Sequence, residues 1–331
     1  MKHKIILIIG FLFSILISNA QLKWVCVDSL YQPLPASVHV YRTNDSMYDG
    51  KPNIAYYVSA ELKNKKLEFT TDTTYKRRLT PMQYFEKNDK PLLVVNCTFF
   101  SFETNQSLNV VVKDKKLVSY NIHSVPGRGK DTFIYRHPFR SAIGITKKRN
   151  ADIAWLYTDS AKSKPYAMQW AIDAIKDSVG NHDYGYYDYH TSVITRPHEG
   201  TVSSSLRKWK VNTAVGGGPV LLQEGEIKIS NNEEMMFAGK AMNNKEPRTA
   251  MGYTKDGKLI ILVVQGRFPG VAEGATLPEE ARIFKDLGCW EALNLDGGGS
   301  SCLLINGKNT IEPSSKGVQR PVPAVFLLKN K

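Results

Sequence analysis

Histidine, cysteine and tryptophan are scarce, with 7, 4 and 5 residues in a chain of 331. The four cysteines, Cys26, Cys97, Cys289 and Cys302, form no CxxC pair and no Cys/His cluster with zinc-ligand spacing. No Ser/His/Asp or Cys/His spacing stands out, and His182, His190 and His198 read as polar surface. No glycine loop continues into Lys-Ser/Thr and none has the GxGxxG spacing, so neither a phosphate loop nor a dinucleotide fingerprint is present. After residue 20 no segment is apolar enough to span a bilayer, and no nucleic-acid-binding motif occurs. Acidic residues are in deficit: 31 Asp and Glu stand against 44 Lys and Arg, a net charge of +13. Basic runs such as Lys63-Asn64-Lys65-Lys66 and Lys147-Lys148-Arg149 read as solvated faces.

What is present begins with a leader. Lys2 and Lys4 precede the apolar run Ile5 to Ile17, and Ser18-Asn19-Ala20 supplies small residues at a cleavage site. This predicts a signal peptide over 1–20, cut before Gln21, and an exported, periplasmic or extracellular protein. The apolar run is short for a membrane anchor. Export permits disulfides, and four cysteines allow three full pairings that the sequence does not choose between.

Residues 21–90 read as an N-terminal accessory segment with strand-like alternation, as in Ser37-Val38-His39-Val40-Tyr41. Residues 91–331 read as the main domain. There a buried strand at Leu92 to Val95 enters Asn96-Cys97-Thr98-Phe99-Phe100. A hairpin turns at Lys113-Asp114-Lys115, and Arg140-Ser141-Ala142-Ile143-Gly144 follows. The arrangement recurs: Gly216-Gly217-Gly218-Pro219, a hairpin turning at Glu224-Gly225, then Arg248-Thr249-Ala250-Met251-Gly252. A third, partial copy runs from Asp296 through an Asn306-Gly307 turn to Arg320. The expectation is an α/β (α+β) fold of mixed, largely antiparallel sheets, built from two pseudo-repeated halves with flanking helices around one shared site. Helices are expected at Ala167 to Asp177 and at Pro278 to Leu287. The second has a capping box between Thr276 and Glu279 and a C-terminal Gly288. The stretch from Asn181 to Ser205 reads as a long loop over the site.

Three signals carry chemistry. Asp296-Gly297-Gly298-Gly299-Ser300 follows a short apolar strand, and glycines there bring backbone N–H groups to a ligand while Asp296 is available for proton transfer. The structural alternative is a tight Asp-Gly turn. The Gly216 to Gly218 loop is weak alone and gains weight from its pairing with the first. Arg140 and Arg248, with Arg320 in the third copy, offer guanidiniums that suit a phosphodiester, although each would also serve as a structural tie. The capping box explains Glu279 without any chemistry. Phe99 and Phe100 suit either a sugar face or the core.

Together NCTFF (96–100), RSAIG (140–144), GGGPVLL (216–222), PRTAMG (247–252), TLPEEA (276–281) and NLDGGGSS (294–301) resemble the phosphodiester glycosidase family, over about residues 90 to 328. The resemblance implies hydrolysis of the bond between an α-linked sugar, such as N-acetylglucosamine, and a phosphodiester. By motif it implies Asp296 and Glu279 as catalytic carboxylates. Substrate contacts would come from Asn96, Thr98, Arg140, Gly217, Gly218, Arg248, Asn294, Gly297, Gly298, Ser300 and Arg320. The chain departs from the family pattern at Cys97, where a small residue is common, at Gln265-Gly266-Arg267, which replaces a frequent Asp-Gly-Arg, and at the 181–205 stretch. No cofactor is implied, and a divalent cation near Asp296 stays open. The expected partner is a phosphorylated sugar or polysaccharide, not nucleic acid. Two rival readings remain: a non-catalytic module that binds phosphorylated or acidic polysaccharide, and a phosphodiesterase that cuts P–O instead of C–O.

Overall fold

The computed structural model describes residues 21–176 and 206–331, together with the backbone of the strand pair Tyr187–Asp188 and Val193–Ile194. The leader, and the expected long loop apart from that strand pair, lie outside the described residues. Among the described residues every strand ladder is antiparallel. Two α-helices, α1 (Pro81–Lys87) and α2 (Leu277–Asp286), accompany them. The expected mixed class is therefore present in a strand-dominated form.

The repeat is threefold. Three strands, Leu93–Asn96, Val211–Gly216 and Cys289–Asn294, belong to sheets of five, seven and eight strands. Each has a long strand on one side: Ala324–Asn330, Arg140–Thr146 and Arg248–Thr254 respectively. Each has on its other side a short hairpin supplied by a different copy. The chain leaving Asn96 forms the hairpin Val111–Lys113/Lys116–Ser119 beside Val211–Gly216. The chain leaving Gly216 forms Val220–Gln223/Glu226–Ile227 beside Cys289–Asn294. The chain leaving Asn294 forms Leu303–Ile305/Lys308–Asn309 beside Leu93–Asn96, and the cycle closes. The loops after these three strands therefore meet at one place. The turns are as their residues demand: Glu224-Gly225 and Asn306-Gly307 both take positive φ at each position.

Register extends the two-half expectation to a third copy and relocates Arg320. Ala142 faces Gly216, Ala250 faces Asn294, and Val325 faces Asn96. The counterpart of Arg140 and Arg248 is thus Pro323, and Arg320 lies in the preceding loop, not at a strand head. The stretch 21–90 is woven into two sheets. Leu67–Thr73 pairs with Ala324–Asn330, where the other copies use Ala151–Tyr157 and Lys258–Val264. Ala55–Glu61 pairs with Lys258–Val264 and Val38–Thr43 with Ala55–Glu61.

Both helices precede a central strand and start the same way. Thr80 with Gln83, and Thr276 with Glu279, form complete capping boxes, each with proline in the first turn. Helix α2 buries Leu277, Ala281, Ile283 and Phe284 against Ala250, Leu222 and Ala292. The helix expected at Ala167 to Asp177 is absent. Tyr166–Met168 and Ile175–Lys176 are strands, because the edge of Ala151–Tyr157 offers Tyr166–Met168 a ladder. Tertiary pairing there overrides an apolar spacing that helix and strand share. The four cysteines are free thiols, Cys26 exposed and the other three buried.

Candidate active site

The three strand ends are locked by reciprocal amide bonds. The Asn96 side chain donates to the Asp296 carbonyl at 2.5 Å, and its Oδ1 accepts from Thr249 Oγ1 and Cys302 N, both at 3.0 Å. Asn294 donates to the Gly218 carbonyl at 2.7 Å and Asn109 to the Gly217 carbonyl at 3.0 Å. Backbone bonds complete the lock: Asp296 N to Cys97 O, and Gly218 N to Asn294 O, each 2.8 Å. Asn96 and Asn294, both expected substrate contacts, are fully buried and hold loop to loop. Gly217 is buried too; a Cβ there would lie 2.3 Å from the Asn294 carbonyl oxygen, which is why the position demands glycine. Thr98 is buried with its hydroxyl 3.0 Å from that of Ser107. Phe100 packs in the core, while the half-buried Phe99 meets Phe237 edge-on at 6.2 Å.

The Asp296 loop is the accessible one. Asp296, Gly297 and Gly298 are half-buried. Asp296 Oδ2 is inaccessible and unpartnered, although the residue as a whole is not. Burial pushes the carboxyl up to about 7, against the opposing pull of a hydrogen bond from Ser300 and the charge of Arg320. Arg320 Nη1 lies 3.4 Å from Ser300 Oγ, and a Cβ on Gly299 would meet Arg320 Nη2 at 2.1 Å. Arg267, paired to Glu246 at 2.7 Å, comes within 3.1 Å of a Cβ built on Gly298, and it is exposed. Its motif was noted in the sequence only as a departure, so Arg267 was missed as a candidate.

Arg140 and Arg248 are close to one segment but lie deeper. They are 8% and 3% exposed. Arg140 Nη1 rests against Met236 Sδ, its Nη2 donates to the Met235 carbonyl at 3.3 Å, and its Nε is buried without a partner. Arg248 donates to the carbonyls of Ala275 at 2.8 Å and Asn244 at 2.9 Å and lies 5.8 Å from the Phe237 ring centroid. Met235 to Phe237 thus touches both arginines. Among the described residues neither makes an ion pair within 4 Å; each guanidinium is supported at longer range, Arg140 by Glu234 and Arg248 by Glu280, Glu246 and Glu279.

Glu279 is already occupied. Oε2 accepts from Thr276 N at 2.8 Å and Thr276 Oγ1 at 2.9 Å, and Oε1 pairs with Lys245 at 2.6 Å. Gln83 makes the same cap in α1 without a charge. Two acids that the motifs did not flag lie closer to the arginines' electrostatics. Glu234 is fully buried beneath the glycine-proline loop, and Glu280 is fully buried one residue beyond Glu279. Only the apolar-to-polar count of their neighbours separates them from surface acids, and that count is not local in sequence. Among the described residues no group of three or more His, Cys, Asp and Glu side chains is placed to hold a metal ion, so the cation left open at Asp296 has no such ligand set there.

The Asp296 loop, rooted where three strand ends converge, thus sets one half-buried carboxyl beside Ser300, Arg320 and Arg267. Residues 180–329 match the family model for phosphodiester glycosidase. Through that region the chain is similar to the phosphodiester glycosidase family, the family that the motifs resemble. The matched region leaves out NCTFF and RSAIG, which the fold nevertheless brings to the same place. The chain is 41% identical over 81 residues to the SPbeta prophage-derived protein YomE of Bacillus subtilis (strain 168), covering 24% of this chain and 12% of that protein. It is 30% identical over 101 residues to N-acetylglucosamine-1-phosphodiester alpha-N-acetylglucosaminidase of Mus musculus, covering 30% of this chain and 19% of the relative. These matches span less than a fifth of either relative's length. Its fold is similar to the zebrafish N-acetylglucosamine-1-phosphodiester alpha-N-acetylglucosaminidase catalytic domain, with a TM-score of 0.55 and 18% identity, covering 94% of this chain and 89% of that one.

Proposed function

We propose that the protein is an exported hydrolase that cleaves the C–O bond between an α-linked sugar and a phosphodiester, releasing sugar and phosphomonoester. The observation that carries this reading is Asp296: a carboxyl poised near neutrality, with one buried free oxygen, in the accessible loop among Ser300, Arg320 and Arg267. A phosphomonoester is a good leaving group, so the demand on a general acid is small. The arginines hold the phosphoryl group and stabilise the charge that grows on it as the sugar departs. Asp296 activates water or stabilises the oxocarbenium-like sugar. The relative's printed name, with its N-acetylglucosamine-1-phosphodiester, supplies the sugar to try first.

Hydrolysis of a sugar-1-phosphodiester in oxygen-18 water tests the reading. Label in the sugar supports it, label in the phosphate makes the protein a phosphodiesterase, and absence of turnover with retained binding makes it a binding module. Arg248→Ala weakens the diester's affinity and slows turnover together, each by about tenfold to a hundredfold, the usual worth of a hydrogen bond to a charged group. Steady-state KM and kcat on the same diester check this; wild-type values for both would remove Arg248 from the site.

A further inference from the structure

Helix α2 carries an acid that neither the cap nor the proposed chemistry uses. Glu280 is 0% exposed, and both its carboxyl oxygens are inaccessible and have no partner among the described residues. Its helix neighbours Leu277, Ala281, Ile283 and Phe284 belong to an apolar cluster with Leu221, Leu222 and Ala292. A carboxyl in such surroundings is costly unless its charge or its proton is put to use.

The elements packed on α2 give it one electrostatic partner. Val220–Gln223 and the turn Ala241–Asn243 carry no charged side chain. Glu226 pairs with Lys285. Glu291 accepts from Tyr253 Oη and Ile153 N. On the helix, Glu279 is held by Thr276 and Lys245, and Lys245 also pairs with Asp49. Arg282 lies over Tyr48 and pairs with Asp286. Glu246 pairs with Arg267. The charge left to act on Glu280 is the Arg248 guanidinium, which is buried and is held at the head of α2 by its Nε bond to the Ala275 carbonyl at 2.8 Å, next to the N-cap Thr276.

We propose that Glu280 sets the charge Arg248 presents to an anionic ligand: protonated, it leaves the guanidinium's charge to a phosphoryl group, and ionised, it competes with that group. This rests on the proposed role of Arg248 in holding phosphate. Burial pushes the Glu280 carboxyl up to about 8, with Arg248 pulling the other way. An anion brought near Arg248 removes part of that pull and raises the carboxyl further, so binding takes up a proton wherever Glu280 is ionised beforehand. Glu280's own effect on affinity is therefore flat while it stays protonated and unfavourable as pH rises through about 8, above the separate Asp296 transition at about 7.

Dimethyl phosphate is the probe, because it keeps one negative charge across the pH range and lacks a sugar to be cleaved. Its affinity is measured by NMR titration of the full chain carrying Asp296→Asn, which removes the other carboxyl that titrates in this range, from about pH 6 to about pH 9.5. With Glu280 intact, affinity holds below the Glu280 transition and declines by up to about tenfold per pH unit above it. Adding Glu280→Gln keeps the low-pH affinity at every pH; Glu280→Met, also neutral and suited to the apolar cluster, serves the same test if the glutamine variant folds poorly. A pH-independent affinity with Glu280 intact, or a slope that survives both substitutions, overturns the inference while leaving phosphate binding in place. Absence of binding in all three proteins at about pH 6 overturns the anion-site reading and the inference with it.

Discussion

Asp296→Asn lowers turnover by about 10²–10⁴ while leaving the fold and diester affinity largely intact. Asparagine is nearly isosteric, and the backbone bonds that fix residue 296, from its N–H to Cys97 O and from Asn96 to its carbonyl, do not involve the side chain. The lost quantity is the negative charge and basicity of the carboxylate. The wild-type pH profile carries the same signature. The carboxyl is raised to about 7 by burial, so the ionised, active form accumulates as pH rises and kcat at saturating substrate climbs through about 7 to a plateau. In Asp296→Asn that limb disappears from whatever activity remains. If Asp296 merely closes a turn, asparagine serves as well and the kinetics stay wild type. The carboxylate role then passes to Glu279, where Glu279→Gln keeps the cap that Gln83 already makes in α1 and removes only the charge.

Glu234→Ala destabilises the protein by about 3–5 kcal/mol, the cost of stripping one side from a buried charged network. Glu234 accepts from Ser141 N at 2.9 Å, Ser141 Oγ at 2.7 Å, Trp155 Nε1 at 3.1 Å, Val220 N at 3.1 Å and Ser230 Oγ at 2.5 Å. The two hydroxyls can turn to other acceptors, but the backbone N–H groups and the indole cannot. Burial pushes Glu234 up, and the hydrogen bonds from Ser230, Ser141 and Val220 oppose it. The bonds tie the strand that begins at Arg140 to the strand that follows Gly218-Pro219, two copies of the repeat. A lowered urea midpoint with an unchanged m-value is the expected readout. Activity of the folded fraction falls too, because Arg140 loses its supporting charge. A loss below about 1 kcal/mol would mean that the donors find water or other acceptors, and that the network is not what aligns the two copies.

Local patterns determined a good deal by themselves. Helix α2 was legible because its start and stop signals, Thr276, Pro278, Glu279 and Gly288, lie within a dozen residues and act on their own backbone. The hairpins were legible for the same reason, since Glu224-Gly225 and Asn306-Gly307 tolerate the positive φ their turns need. The ordered motifs carried the family, and the recurring Arg-Ser/Thr-Ala strands gave two copies of the repeat. The tertiary structure alone decided the rest. It completed the third copy with Leu67–Thr73, whose partner lies at the other end of the chain. It replaced the helix expected at Ala167 to Asp177 with strands, because an open ladder edge was there to pair. It buried Arg140 and Arg248 under Met235 to Phe237 and left Arg267 and Arg320 beside the Asp296 loop. It turned Asn96 and Asn294 into clamps, and it made Glu234 and Glu280 interior acids. Those outcomes depend on solvent exclusion and on partners as far apart as Asn96 and Asp296, separated by 200 residues, and no local spacing encodes which distant groups will share a dry interior.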